Sequence, residues 1–214
     1  MANYAVTRDR VEHYFDRTAT KTWERLTSDA PVSGVRATVR AGRDRMRALM
    51  LAQLPEDLRG ARILDAGCGT GAMAVELAQR GADVVAVDIS PALVGIAERR
   101  MPANLSGRIT WVAGDMLDAT DGMFDHVVAM DSMIYYTAPD IAAVLGKASP
   151  RVNGKFVFTL PPRTPALMAM WRVGKLFPRA DRSPTMIPQT TAGVANALRE
   201  AGIKGRLSEI ERIK

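Results

Sequence analysis

The sequence is poor in residues that hold metals and form disulfides: its 214 residues include one cysteine, Cys68, and two histidines, His13 and His126. A single thiol cannot form an internal disulfide or a four-thiolate site, and ligands for a structural zinc are scarce. This cysteine usage is typical of a reducing compartment. We therefore expect a cytoplasmic protein without a metal site.

Long apolar runs are missing as well. No uninterrupted stretch approaches the roughly 18 to 20 residues of a membrane-spanning helix, and the segment Met1 to Phe15 lacks the apolar region of a secretory signal. We therefore expect neither an integral membrane protein nor an exported one.

Aromatic residues make up only 6% of the chain, and the sequence contains neither zinc-finger spacing nor an aromatic RNP-like strand. These absences argue against a nucleic-acid partner, although the net charge is +6 and the isoelectric point is about 9.8. A basic surface also attracts anionic lipid and acidic small molecules, and composition does not choose between them.

The chain is 47% hydrophobic and 24% charged, as expected of one ordinary globular domain. Residues 1–58 predict a helical cap, because apolar residues recur at helical spacing from Thr7 to Leu26 and again from Val35 to about Leu54, where Pro55 ends the pattern. The second helix carries a basic stripe of Arg36, Arg40, Arg43 and Arg47. This stripe is either a solvated face or a face that meets an acidic ligand or a membrane surface.

Over residues 59–160, short apolar runs alternate with helical patterns. The predicted helices are Ala72 to Gln79, Pro91 to Arg100 and Asp140 to Ala148. The predicted strands are Ile63 to Asp65, Val84 to Asp88, Ile109 to Val112, Phe124 to Met130 and Lys155 to Leu160. This alternation predicts an α/β fold with a parallel sheet covered by helices on both faces, and ligands at the carboxyl ends of its strands.

The turn after the first strand contains Gly67, Gly69 and Gly71. The pattern alone is ambiguous, because Gly67, Gly69 and Ala72 also satisfy the dinucleotide-binding fingerprint G-x-G-x-x-G/A. Whichever ligand the turn binds, Asp88 at the end of the second strand can accept hydrogen bonds from two ribose hydroxyls. Asp65 distinguishes between a diphosphate ligand and a cationic one, because a carboxylate at this position repels a diphosphate but attracts an ammonium or sulfonium group. We therefore expect a cationic ligand.

The segment Leu64-Asp65-Ala66-Gly67-Cys68-Gly69-Thr70-Gly71 resembles the first motif of the class I S-adenosylmethionine-dependent methyltransferases. Three further positions lie in register with that family: Asp88 for the ribose, Gly114-Asp115-Met116 for the adenine, and the end of the fourth strand beside the reacting methyl. The resemblance implies a Rossmann-like core that uses S-adenosylmethionine and releases S-adenosylhomocysteine. The cofactor-binding residues that it implies are Asp65, Gly67, Cys68, Gly69, Gly71, Asp88, Ile89, Asp115, Met116, Met130 and Asp131.

Segments outside this core carry a second similarity. They are Val11 to Asp16, Trp23 to Leu26, Val35 to Arg43, Phe158 to Pro165 and Leu176 to Arg179. They resemble the magnesium protoporphyrin IX O-methyltransferases of chlorophyll and bacteriochlorophyll biosynthesis, which methylate one propionate of the porphyrin. The resemblance implies work on the cytoplasmic side of the photosynthetic membrane, with peripheral membrane contact and the large subunit of magnesium chelatase as a partner. Some members have a histidine after the fourth strand, but this chain has Ile134-Tyr135-Tyr136.

Residues 161–189 predict an inserted lid rich in methionine and tryptophan. The apolar run Ala166 to Trp171, accompanied by arginines, suits a flat tetrapyrrole with carboxylate arms. Methionine at helical spacing is also typical of plain core, and a basic amphipathic segment of this kind can lie on a lipid surface. The predicted substrate-binding residues are Trp23, Arg36, Arg40, Tyr136, Arg163 and Met170.

A propionate titrates near the glutamate value of about 4.3, so it is already ionised at neutral pH and needs no general base. Tyr14 and Tyr135 are the predicted catalytic residues, because a tyrosine can hold one carboxylate oxygen without neutralising the nucleophile. Each is alternatively a core tyrosine, and His126, inside the fourth strand, is expected to be structural.

Other activities stay open. The alternative within the class is a methyltransferase acting on a phenol, quinone or other lipid-soluble small molecule, which needs a base because a phenol titrates near 10. A binding module that uses S-adenosylmethionine only structurally, and a nicotinamide enzyme, are further alternatives.

Residues 190–214 are expected to complete the core. Class I methyltransferases usually close with antiparallel sixth and seventh strands, and Ile203 to Lys214 is predicted to form the sixth. Because the final strand is missing from the sequence, we expect the native chain to continue for about 10 to 15 residues.

Overall fold

The computed structural model describes residues 2–20, 23–24, 27, 34–118, 122–163, 168 and 184–211. Its centre is a five-stranded sheet in the order β3-β2-β1-β4-β5, and every neighbouring pair is parallel. The strands are β1 (Arg62–Ala66), β2 (Asp83–Asp88), β3 (Arg108–Ala113), β4 (His126–Ala129) and β5 (Phe156–Phe158). The strand order reverses between β1 and β4, and such a switch point opens a crevice at the carboxyl ends of the strands.

Helices cover both faces of the sheet. They are α1 (Ala2–His13), α2 (Val35–Leu51), α3 (Ala72–Gln79), α4 (Pro91–Arg100), α5 (Ala138–Ala148) and α6 (Thr191–Glu200). Three of them begin at a hydroxyl side chain, Ser90, Thr137 or Thr190, which accepts a backbone N–H of the first turn. Such caps satisfy N–H groups that the helix itself leaves without a partner.

The sheet is buried because its strands are apolar on both sides. Successive strand residues point to opposite faces, so Ile63 and Val84 pack with α2 and α3, whereas Leu64 and Val85 pack with α5 and α6. This two-sided burial explains why the strands are continuous apolar runs rather than alternating ones.

The predicted core elements are confirmed, although the fourth and fifth strands are shorter than predicted. The helices Ala72–Gln79 and Pro91–Arg100 have the predicted bounds. The fourth strand is shorter than predicted, because Phe124 forms only an isolated bridge to Val152 and the chain leaves the sheet after Ala129. The fifth ends at Phe158, and a proline such as Pro161 has no N–H to donate to a ladder.

The first predicted helix is divided in two. It begins earlier than predicted, at Ala2, and after His13 it continues as a π-helical turn over Tyr14–Ala19. The hydroxyl of Thr20 donates to the carbonyl oxygens of Phe15 and Asp16, at 2.6 and 3.0 Å, and so stabilises the end of this turn. Helices in the described ranges are too short or too polar to cross a membrane.

The prediction of a sixth strand from Ile203 onwards is wrong for its described part, because residues 203–211 contain no strand. The Ile203 N–H donates to the carbonyl of Leu198 and its side chain packs at Gly146 of α5. Side-chain contacts hold the following residues, with Thr191 donating to Glu209 at 2.7 Å and Arg45 paired with Glu211 at 2.5 Å. Local contacts with helices therefore replace pairing to β5.

The two ends of the predicted lid are hydrogen-bonded to each other, and the side-chain amide of Gln189 also donates to the carbonyl of Tyr136 in the core. Gln189 donates its N–H to the carbonyl of Pro161, and Arg163 donates its N–H to the carbonyl of Gln189. The central part of the lid, including Met170, lies outside the described residues.

The buried sheet generates a prediction about stability. We expect Val84→Ala to lower the free energy of unfolding by about 2–3 kcal/mol, because it removes two fully buried methyl groups and leaves a cavity. The matched variant Val6→Ala, at a position that is 59% exposed in α1, should change it by less than about 0.5 kcal/mol. Urea unfolding of both variants measures the difference, and equal losses would contradict this account of the core.

Candidate active site

A cavity of about 410 Å³ lies at the carboxyl ends of β1, β2 and β4. Its floor is the turn after β1, and residues of α1 and α2 cover it from the other side. The volume is within the range of pockets that bind small organic ligands. The cap therefore closes the crevice that the strand order creates.

The glycine-rich turn forms the floor of the cavity. Two of its glycines allow tight packing, and the third leaves the backbone exposed. All three have positive φ angles, +87° at Gly67, +55° at Gly69 and +86° at Gly71, which side chains rarely adopt. A Cβ on Gly67 would lie 2.3 Å from Cβ of Ser132, and one on Gly71 would lie 2.6 Å from the ring of Trp111. At Gly69, in contrast, a Cβ would meet no atom within 4 Å, so the backbone is open to a ligand.

Asp65 lies at the end of β1 and is only 1% exposed. Within the described part of the chain, its Oδ2 atom has no hydrogen-bond partner, although the carboxyl group accepts the backbone N–H of Ala74. Burial, reinforced by the neighbouring charge of Asp88, raises the pKa of Asp65 to about 7. An unpaired buried carboxyl oxygen beside an open glycine turn suits a positively charged ligand group.

Asp88 holds the glycine turn against β2. Its two carboxylate oxygens accept the backbone N–H groups of Gly69 at 2.8 Å and Ser90 at 2.9 Å. Burial raises its pKa, while these two hydrogen bonds act in the opposite direction. Each carboxylate oxygen can accept a second hydrogen bond, so Asp88 retains capacity for ribose hydroxyls.

Asp115 follows β3 and is bound by α1. The Tyr4 hydroxyl donates to its Oδ1 at 2.8 Å, and Arg8 donates to its Oδ2 at 3.2 Å. The Tyr4 ring stacks on Tyr136, with centroids 4.9 Å apart, and burial raises the pKa of both hydroxyls. The N-terminal helix is thus fastened at the place where the resemblance puts the adenine.

Sequence reasoning missed Tyr4 because the predicted helix began at Thr7, and it missed Arg8 because only the apolar residues of that helix were considered. Tyr4, Arg8, Val11 and Phe15 are spaced by three or four residues, and all four line the cavity. The arginine within this otherwise apolar stripe is the signal that a buried acid faces the helix.

Asp131 connects the end of β4 to the cap. Its φ angle is +58°, and its N–H donates to the Thr159 hydroxyl at 2.8 Å. Its carboxylate forms an ion pair with Arg43, whose guanidinium carbon lies 4.7 Å above the ring centre of Trp23. The carboxylate predicted to bind cofactor therefore anchors α2 at the cavity wall.

The basic stripe of α2 is not simply a solvated face. Arg40, Arg43 and Arg47 line the cavity, and Arg47 is paired with Glu76 at 2.5 Å and with Asp44 at 2.8 Å. The side chain of Arg36 lies outside the description, although its backbone belongs to α2. These ion pairs attach the cap helix to the core.

Of the two predicted catalytic tyrosines, the structure brings only Tyr135 to the cavity. Tyr135 is buried and lies beside Phe15, with ring centroids 6.2 Å apart. Tyr14 is absent from the described lining and packs its ring edge-on against Phe15 at 5.1 Å. Tyr14 begins the π-helical turn, and its neighbours Val11 and Phe15 line the cavity in its place.

The other predicted residues divide into two groups. Most line the cavity: Cys68, Ile89, Met116, Met130, Trp23, Arg40 and Tyr136. Gly71 sits beneath Trp111 and outside the lining, and Arg163 lies in a separate groove along β5 with Met186 and Gln189. Arg163 therefore does not line the cavity that contains the predicted cofactor-binding residues.

S-adenosylmethionine fits the residues present. The orphaned Oδ2 of Asp65 matches its ammonium group, the open face of Gly69 allows close approach, and Asp88 has capacity for its ribose. The fold and this donor set are those of a class I S-adenosylmethionine-dependent methyltransferase. A methyltransferase-domain family model matches residues 63–153, and the model described as magnesium-protoporphyrin IX methyltransferase C-terminus matches residues 129–213.

Relatives identify the family within that class. The chain is 61% identical over 188 residues to a magnesium-protoporphyrin O-methyltransferase of Rhodobacter capsulatus, covering 87% of this chain and 84% of the relative. The chain therefore belongs to the magnesium-protoporphyrin O-methyltransferase family.

One solved structure and one enzyme of lower sequence identity are also similar to this chain. The crystal structure of magnesium protoporphyrin IX methyltransferase from Synechocystis PCC 6803 with bound S-adenosylhomocysteine is similar, with a TM-score of 0.75 and 26% identity over 91% of this chain and 89% of that one. A ubiquinone biosynthesis O-methyltransferase of Xanthomonas oryzae is 34% identical but covers only 58% of this chain and 54% of its own length. The predicted fold class and cofactor are confirmed.

The raised pKa of Asp65 makes cofactor binding dependent on pH. Below about pH 7 the free protein holds Asp65 protonated, and an ammonium ligand favours the charged form, so binding must release a proton. We expect the affinity for S-adenosylhomocysteine to fall towards tenfold per unit as the pH decreases from 7 to 5.5. Calorimetry in buffers of different ionisation enthalpy measures both effects. Asp65→Asn should bind weakly and without this pH dependence; an equally steep dependence in that variant would contradict the assignment.

Proposed function

We propose that this chain transfers a methyl group from S-adenosylmethionine to a propionate of magnesium protoporphyrin IX, in chlorophyll or bacteriochlorophyll biosynthesis. The observation that carries the proposal is the 61% identity to the Rhodobacter capsulatus enzyme over most of both chains. The buried acceptor of Asp65 in the same cavity supports the choice of methyl donor.

S-adenosylmethionine supplies, when bound, a methyl group activated on a sulfonium. In this proposal Asp65 binds the ammonium group of S-adenosylmethionine and Asp88 binds its ribose. The open backbone at Gly69 lets the ligand approach the turn closely. The cap formed by α1 and α2 excludes water from these groups, which strengthens electrostatic interactions inside the cavity.

The cavity is better suited to a carboxylate acceptor than to a phenol. Among the described residues that line it there is no histidine, and the Nδ1 atom of His126 accepts the N–H of Lys155 at the opposite end of β4. A propionate needs no base, because it is ionised at neutral pH. A phenol would need one. The described lining has no imidazole, and its carboxylates Asp115 and Asp131 are engaged by cap residues, which favours the ester-forming reaction.

Tyr135 is the residue that we propose to act on the acceptor. Its phenol is buried at the cavity wall next to Phe15, and a single hydroxyl donor can orient one carboxylate oxygen and leave the other free to react. Arg43 is paired with Asp131, which limits its capacity to neutralise the same carboxylate. Tyr14 stays a proposal from the sequence, because its ring packs outside the cavity lining.

We propose the same four parts that the sequence predicts: a cap over residues 1–58, a cofactor core over 59–160, a substrate lid over 161–189 and the end of the core over 190–214. The cavity of about 410 Å³ suits the cofactor, and a tetrapyrrole needs additional surface. The ends of the lid, Pro161 and Gln189, lie in one groove with Asp131 and Ile134, and we propose that the lid supplies this surface.

Two contacts are proposed from the family resemblance. The first is with the large subunit of magnesium chelatase, which holds the same porphyrin, and the second is a peripheral contact of the basic lid with the photosynthetic membrane from the cytoplasmic side. Binding to the purified subunit and flotation with anionic vesicles test the two contacts separately.

The role of Tyr135 predicts a specific kinetic change. Tyr135→Phe should lower turnover about 10- to 100-fold, equivalent to about 1.4–2.7 kcal/mol, with the affinity for S-adenosylhomocysteine nearly unchanged. Steady-state kinetics with labelled methyl donor and calorimetry measure the two quantities. Undiminished turnover, or a greater loss in Tyr14→Phe than in Tyr135→Phe, would remove Tyr135 from this role.

The acceptor class predicts the pH profile. With saturating cofactor, turnover on magnesium protoporphyrin IX should be nearly constant from about pH 6.5 to 8.5, because the propionate is ionised throughout and a tyrosine titrates near 10. Transfer of labelled methyl into an ester product measures it. A rate that climbs tenfold per pH unit would show deprotonation of a weak acid and would favour a phenolic acceptor; no transfer to the porphyrin would overturn the proposed function.

A further inference from the structure

Ser132 is a cavity residue to which neither the sequence prediction nor the family match assigns a role. It follows Asp131, whose positive φ turns the chain at the end of β4. Its side chain lies against the first glycine of the turn, so closely that a Cβ on Gly67 would be 2.3 Å from the Ser132 Cβ and 3.1 Å from its Oγ. Ser132 therefore lies at the junction of β1, β4 and the cavity.

The Ser132 hydroxyl is buried without a hydrogen-bond partner. In the described part of the chain, only three buried side-chain polar atoms share this condition: Asp65 Oδ2, Trp111 Nε1 and Ser132 Oγ. Buried polar groups in folded proteins are nearly always paired, and leaving one unpaired is costly. Two of the three, those of Asp65 and Ser132, line the same cavity.

The position of these two atoms identifies the part of the ligand that they face. Asp65 lies two residues before Gly67 and Ser132 packs on Gly67, so both belong to the β1 end of the site. Asp88 and Asp115, which suit the ribose and the adenine, lie at the ends of β2 and β3. The amino-acid end of the cofactor is therefore the part that reaches Asp65 and Ser132.

The chemistry of a hydroxyl matches this end. Serine can accept a hydrogen bond from an ammonium and donate one to a carboxylate, whereas an aspartate can only accept when ionised. The α-amino-acid end of S-adenosylmethionine carries both charged groups on one carbon. A hydroxyl in the same cavity as Asp65 Oδ2 complements this end of the ligand.

We infer that Ser132 is a cofactor-binding residue whose hydroxyl bonds the charged amino-acid end of S-adenosylmethionine. The inference rests on the methyl donor and does not depend on the identity of the acceptor. Binding measurements with product-like ligands therefore test it separately from methyl transfer to the porphyrin.

The decisive experiment compares two ligands that differ only at this end. S-adenosylhomocysteine has the amino-acid group, and 5′-methylthioadenosine lacks it. We expect Ser132→Ala to raise the dissociation constant of S-adenosylhomocysteine about 10-fold and to leave that of methylthioadenosine unchanged, as measured by calorimetry. The matched control is Ser149→Ala, whose exposed hydroxyl donates to Gly146 and which should leave both constants unchanged.

The melting temperature of the ligand-free protein provides a second readout, which is not expected to fall when the affinity for the ligand falls. Because Ser132→Ala removes an unpaired buried hydroxyl, its melting temperature should be equal to that of the wild type or higher by about 2–4 °C. A residue with a merely structural role would lower the melting temperature instead. Ser132→Cys, which keeps the size of the side chain and a weak donor, should weaken S-adenosylhomocysteine binding less than Ser132→Ala does.

Three results would overturn the inference. One is equal weakening of both ligands, which would place the hydroxyl near the nucleoside or indicate general damage. Another is unchanged affinity for S-adenosylhomocysteine in both Ser132 variants. The third is unchanged cofactor affinity with a raised KM for the porphyrin, which would assign the hydroxyl to the acceptor.

Discussion

Two carboxyl groups buried close together at the ends of β1 and β2 set the conditions for the rest of the site. Asp88 is stabilised by the N–H groups of Gly69 and Ser90, whereas Asp65 keeps one oxygen without a partner and has a pKa of about 7. Protonation of Asp65 relieves the repulsion between the two carboxylates in the free protein, and the cationic ligand that we propose would relieve it in the complex. The glycine turn, the cavity and the covering helices all surround this pair.

The cap is attached to the core by polar contacts placed around the cavity. Tyr4 and Arg8 bind Asp115, Arg43 binds Asp131, and Arg47 binds Glu76. The bonds to Asp115 and Asp131 join cap helices to residues that follow β3 and β4, and the bond to Glu76 joins α2 to α3. Apolar residues of the same helices, Tyr4 and Leu51 among them, are buried in the core clusters, so the covering of the cavity depends both on these polar contacts and on core packing.

Elements with a strong local signal were predictable. The helices Ala72–Gln79 and Pro91–Arg100 follow from a glycine turn and a serine cap, and the β2 strand from a run of buried valines. The C-terminal segment was not predictable in the same way. Ile203 was predicted to begin a strand, yet its contacts with α5 and α6 hold it outside the sheet, and α5 is more than 50 residues earlier in the sequence.

The sequence by itself determined the class, the methyl donor and most of the proposed cofactor-binding residues, because the glycine turn and the carboxyl groups of Asp65 and Asp88 stand at the ends of apolar strands that are recognisable locally. Only the tertiary structure decided that Tyr135 rather than Tyr14 reaches the cavity, that Tyr4 and Arg8 bind Asp115, and that the Ser132 hydroxyl has no partner in the described chain. The physical reason is distance along the chain: these contacts join residues of separate elements, and their rotation and depth are set by packing against the sheet.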